Sequence, residues 1–159
     1  MKTDSPKVIK LSEYQKPDYL VETIDLVVHL DNTKTLVQSK MTMKKTSAHN
    51  NPLVLNGEEL VLKSVKVNGV ATTDYAHNTE NHTLTLPGMG SEFTLEIENE
   101  INPEANKTLD GLYKSGTIFC TQNEPEGFRR ITFYVDRPDN MAKFTTKIIA
   151  DKKLYPVLL

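Results

Sequence analysis

Residues 21–45 read VETIDLVVHLDNTKTLVQSKMTMKK, and the spacing of their apolar positions decides the fold class. Ile24, Leu26, Val28 and Leu30 stand at every second place, and Val37, Met41 and Met43 follow a period of two in turn further on. A period of two gathers side chains on one side of an extended chain, whereas a helix would need apolar residues three and four apart. The DNTK link at 31–34 is turn chemistry, so the stretch predicts a β-hairpin.

Outward from the hairpin the pattern recurs. LVL (53–55), LVLKSVKVN (60–68), HTLTL (82–86), EFTLEIENE (92–100), TIFC (117–120) and KFTTKIIA (143–150) read as short strands, and an aromatic β-run is expected in ITFYV (131–135). Asn56-Gly57, Asn68-Gly69 and Pro87-Gly88 supply the positive-φ or Pro-fixed positions of tight reversals. The fold class predicted is all-β, an antiparallel sandwich with little helix. One helical turn is expected, in DRPDNMAK (136–143), with Pro138 suited to its first turn.

Residues 1–18, polar and carrying Pro6 and Pro17, read as an extended arm, which leaves 19–159 as the β domain. The apolar ending YPVLL (155–159) reads as a chain cut inside a larger protein, so the sandwich is expected to be incomplete.

Composition narrows the function classes. A chain of 159 residues with 38% apolar and 25% charged residues fits one soluble domain. A net charge of −2 provides no field to hold a nucleic acid, and no run approaches a membrane span. The start lacks the apolar core of a signal peptide and Cys120 is the single cysteine, which together predict a cytoplasmic protein without disulfides. His29, His49, His77 and His82 read as solvated imidazoles; none precedes a Glu, so H-E-x-x-H is absent. Cys120 and the serines have no neighbouring base to activate them. Neither a catalytic residue nor a metal ligand is expected in this segment.

TQNEPEG (121–127) is the polar exception. Gln122 and Glu124 lie two apart beyond TIFC, so an extended backbone would project both to one side. A carboxylate beside a carboxamide oxygen suits a donor-only cation such as an ammonium group. The competing reading is a polar loop whose Glu pairs with Arg129 or Arg130.

GLYKSG (111–116), CTQNEPEGFRRITFYVDRPDNMAKFTTKIIADKKLYP (120–156), LNGEEL (55–60), NEINPEANKTLDGLY (99–113) and KPDYLVETIDLVVHLD (16–31) resemble the aminopeptidase N family of zinc metallopeptidases, most closely its bacterial branch. The resemblance spans roughly 14–157. It implies a saddle-like N-terminal β domain packed over a separate catalytic domain of the same polypeptide, which carries H-E-x-x-H, the zinc and G-x-M-E-N. The segment alone would then be inactive. The T-Q-x-E element matches Thr121-Gln122-Asn123-Glu124, which implies that Glu124 binds the free α-amino group of a peptide substrate and that Gln122 lines the pocket for its first side chain. Asn123 departs from the Cys or aromatic residue common in relatives. Arg129 and Arg130 would hold the loop through ion pairs, with Tyr134, Asp136 and Arg137 as scaffold and Phe119, Phe128 and Phe133 in the core. The alternative is a free-standing, non-catalytic β-sandwich binding module.

Overall fold

A computed structural model describes residues 10–124 and 126–157. Eleven strands follow in chain order: β1 (Tyr19–His29), β2 (Thr35–Lys45), β3 (Leu53–Asn56), β4 (Val61–Val67), β5 (Val70–Ala71), β6 (Ala76–Asn78), β7 (Thr83–Leu86), β8 (Glu92–Ile101), β9 (Gly111–Ser115), β10 (Ile118–Gln122) and β11 (Lys143–Ile149). They form a six-stranded sheet ordered β11-β1-β2-β8-β4-β5, a three-stranded sheet β3-β7-β6 and the ribbon β9-β10. All pairs are antiparallel except β1 with β11.

The opening hairpin forms as its phase requires. Ile24, Leu26 and Val28 of β1 and Val37, Met41 and Met43 of β2 are buried, while Leu30 is half-buried just past the strand end. Val21 is buried as well, three residues before Ile24, because the register shifts between Val21 and Thr23. An irregularity of this kind returns the strand to its inward phase. In the DNTK turn, Asp31 Oδ1 accepts the backbone N–H groups of Thr33 and Lys34, each at 2.9 Å. Asn68 (φ 51°) and Gly69 (φ 78°) form the tight β4–β5 reversal, as an Asn-Gly pair should.

The core lies between the inner face of the large sheet and the three-stranded sheet, with Leu95 and Ile97 of β8 facing Leu53, Leu55, Leu84 and Leu86 as fully buried side chains. The segment Ile131–Asp136 threads this interior. All six residues are buried, and in place of the expected strand the segment starts in a turn at Ile131, bends at Thr132 and makes one bridge, Asn56 to Tyr134. Two of its carbonyl groups accept from side chains: Asn99 Nδ2 donates to the Ile131 carbonyl at 2.9 Å, and Asn140 Nδ2 to that of Val135 at 2.8 Å. Asn99 and Asn140 are buried for this purpose, since an unmade backbone bond inside a core is costly.

DRPDNMAK does not make a helical turn. The Asn140 N–H donates to the Arg137 carbonyl at 3.1 Å in a simple reversal, and Asn140 Oδ1 accepts from the Val21 N–H at 3.0 Å. Bridging strand β1 to the buried segment takes precedence over local helix. The helical turns present are 3-10 turns at Leu11–Glu13 and Phe128–Arg130. Gly57 also departs from its turn reading: a Cβ there would lie 2.2 Å from Phe133 Cδ1, so this glycine serves close packing. Phe133 is fully buried, whereas Phe119 and Phe128 are half-buried.

Candidate functional site

The ribbon β9-β10 delivers the TQNEPEG loop. Gln122 closes β10 opposite Gly111, whose φ of +70° and closeness to Arg130 (a Cβ would fall 2.6 Å from Arg130 Cβ) leave no room for a side chain. Beyond Gln122 the strand stops, and the backbone bends at Glu124. Continued alternation therefore does not set the direction of Glu124. The loop winds instead onto Gly127, which is buried: a Cβ there would lie 2.8 Å from the Gln122 carbonyl oxygen and 3.1 Å from that of Glu124.

The two carboxylates of the loop have different surroundings. Glu126 Oε2 sits 3.2 Å from Arg129 Nη2. Arg129 is held from the other side by Asp136, whose Oδ2 accepts from Arg129 Nε at 2.9 Å and from its backbone N–H at 3.1 Å. Arg130 turns away, toward Glu58 and, at 2.7 Å, Glu59. Glu124 is exposed and has no hydrogen bond or ion pair among the described residues; Gln122 is exposed too. The competing reading of the loop thus applies to Glu126, with Arg129 as its cation. Sequence proximity could not separate the two glutamates, because the separation depends on where Asp136 returns.

An apolar groove of about 900 Å³ lies beside the ribbon, walled by Leu26, Phe119, Tyr134, Phe144 and Ile148. Thr121 and Asn123 reach its wall, whereas Gln122 and Glu124 do not, so the polar pair lies outside this groove. Tyr134 is buried against Phe128, with ring centroids 4.9 Å apart, and its hydroxyl has no partner among the described residues. Burial, assisted by the Asp136 charge, pushes this phenol up to about 12. A raised folded value means the stabilisation is whole below the ordinary value of about 10 and is lost as pH climbs to about 12. Tyr134→Phe should therefore equal or exceed wild-type stability near pH 8, since it removes an unsatisfied hydroxyl. It should also lose less stability than wild type between about pH 8 and about pH 11, as read by urea midpoints.

The histidines are not uniformly solvated. His49 is half-buried, with Nε2 3.0 Å from the Asp18 carbonyl, whereas His29, His77 and His82 are exposed as expected, His77 meeting Phe133 edge-on at 5.3 Å. Among the described residues no three His, Cys, Asp or Glu side chains are grouped to hold a metal ion. No helix among the described residues is long and apolar enough to cross a membrane.

Residues 12–158 match the model of the peptidase M1 N-terminal domain. The chain belongs to the M1 peptidase family. Aminopeptidase N of Escherichia coli is 48% identical over 157 residues, which are 99% of this chain and 18% of that protein. The Legionella pneumophila aminopeptidase A crystal structure, in complex with aspartic acid, superposes with a TM-score of 0.85 at 33% identity, covering 97% of this chain and 18% of that one. An M1 zinc metallopeptidase from Deinococcus radiodurans shares the fold, with a TM-score of 0.71 at 16% identity over 85% of this chain and 33% of that one. This M1 N-terminal domain thus spans about a fifth of the length of the curated aminopeptidase N relatives it matches. The β architecture expected from the alternating pattern is that of the family.

Proposed function

We propose that this M1 domain is the amine-anchoring part of a zinc-dependent aminopeptidase that removes N-terminal residues from peptides. Glu124 accepts the substrate's α-ammonium and Gln122 borders the pocket for its first side chain. Zinc and the bond-breaking groups belong to a catalytic domain of the same polypeptide, outside these residues. The observation that carries the reading is the sorting of the loop: Glu126 is paired with Arg129, while Glu124 is exposed and has no cationic partner among the described residues.

An exopeptidase must recognise the start of a chain. A carboxylate fixed at one end does this electrostatically, because an α-ammonium brings three donors and a positive charge whereas a blocked or internal amine brings neither. The wrong substrate leaves the acceptor unpaired in a desolvated site, and the penalty becomes selectivity. Such a residue performs no bond chemistry.

The test is calorimetry on the full-length protein with leucine and with N-acetyl-leucine. Wild type should bind the free amine well and the blocked form poorly. In Glu124→Gln the preference should largely vanish, through loss of affinity for leucine. An unchanged preference would refute the anchor.

A further inference from the structure

We propose that Asn68 is a site of spontaneous modification, where the side-chain amide is lost as ammonia and the residue becomes aspartate or isoaspartate, and that the fold protects Asn56 from the same reaction. Of the chain's asparagines only these two precede a glycine. Glycine has no side chain to shield its backbone nitrogen and turns freely, and attack on the preceding carboxamide needs both. By sequence the two sites are equivalent. Their surroundings are not.

The reactants beyond the chain are hydroxide and water. Hydroxide removes the Gly69 amide proton, and the bared nitrogen attacks Asn68 Cγ. A C–N bond forms, the Cγ–Nδ2 bond breaks, and ammonia leaves with a proton from water, which regenerates hydroxide. Water then adds to either carbonyl of the succinimide and reopens the ring. At Asn68 the parts are accessible. Asn68 and Gly69 are exposed in the β4–β5 reversal, and a Cβ at Gly69 would meet nothing within 4 Å. Neither the Gly69 N–H nor Asn68 Nδ2 makes a hydrogen bond among the described residues. Asn68 is held by Thr94 instead: its N–H donates to the Thr94 carbonyl at 2.9 Å, and its Oδ1 accepts from the Thr94 N–H at 2.9 Å. The second bond falls on the oxygen where negative charge grows as the nitrogen attacks, so it favours the step.

Asn56 is half-buried at the end of β3, and its backbone is fastened on both sides, its N–H donating to the Tyr134 carbonyl at 2.8 Å and its carbonyl accepting from the Tyr134 N–H at 3.0 Å. The nitrogen that would attack is occupied, since the Gly57 N–H donates to the His82 carbonyl at 2.9 Å. Gly57 is also buried against the Phe133 ring, so its peptide has no room to turn. Local opening of these bonds must precede reaction there. The product at Asn68 has a structural consequence. Isoaspartate routes the backbone through the former side chain and lengthens a tight reversal by a carbon. The outermost strand β5 is paired only through Lys66 with Ala71 and Val67 with Val70, so it loses its register and leaves the β4 edge bare.

The experiment incubates the full-length protein in mildly alkaline buffer, folded and in urea, and follows each asparagine by peptide mapping, mass spectrometry and an isoaspartate-specific methyltransferase. In the folded protein Asn68 should convert at least about tenfold faster than Asn56, because only the latter needs prior opening. In urea the two rates should converge to within about threefold, since both are then Asn-Gly pairs in open chain. Equal rates in the fold, faster conversion at Asn56, or an Asn68 that reacts in urea but is silent when folded would each overturn the proposal. A difference that persisted unchanged in urea would overturn it as well, because neighbours along the chain would then account for it.

Discussion

On the anchoring role proposed for Glu124, the full-length protein carrying Glu124→Ala should lose between about 30-fold and several thousand-fold in kcat/KM on free-amine peptides, with its zinc content unchanged. The range follows from the roughly 2–5 kcal/mol lost when one partner of a desolvated, hydrogen-bonded charge pair is removed, at about 1.4 kcal/mol per factor of ten. The upper end applies if the catalytic domain closes over the loop, because exclusion of water strengthens the pairing. The lower end applies if the site stays wet. Glu124 is exposed in the domain alone, so the desolvation must come from whatever covers it and the substrate together. Truncation should leave the fold intact, since the side chain has no hydrogen bond or ion pair among the described residues. Wild-type kcat/KM in the variant would remove Glu124 from the recognition of substrate.

The second large effect is on stability. Phe133→Ala should destabilise the domain by about 3–5 kcal/mol, the usual cost of truncating a fully buried aromatic in a well-packed site. Phe133 is fully buried, with the Gly57 backbone against one ring edge and His77 packed edge-on at 5.3 Å. Gly57 follows directly on β3 and His77 belongs to β6, both paired with β7 in the three-stranded sheet, so the backbone around the ring is tied into that sheet. Urea unfolding of the 159-residue chain would show the lower midpoint. A loss below about 1 kcal/mol would mean the segment collapses onto the void and is less rigid than its contacts imply.

Alternation in VETIDLVVHL and VQSKMTM sufficed for the first hairpin and for which of its side chains are inside, because strand periodicity is local and one-sided burial selects its phase. Asn68-Gly69 was legible for a similar reason, as positive φ is a property of the residue pair. ITFYV was misleading, since buried residues without alternation can be an inner strand or a thread between sheets, and hydrogen-bond partners distant in sequence decide between them. DRPDNMAK failed for a related reason. Its Asn140 is bound to Val21 and Val135, and such bonds outweigh a weak helical preference.

The candidate site divides along the same line. The order of residues carries the β class, the first hairpin and the family resemblance, and it marks Gln122 and Glu124 as a polar pair at a strand end, since each of these depends on neighbours along the chain. Which of two glutamates a guanidinium takes, why Gly127 has no room for a side chain, and that Gly57 exists for Phe133 are settled by segments that meet only in three dimensions. Ion pairs and close packing depend on distance through space, and linear spacing holds no measure of that.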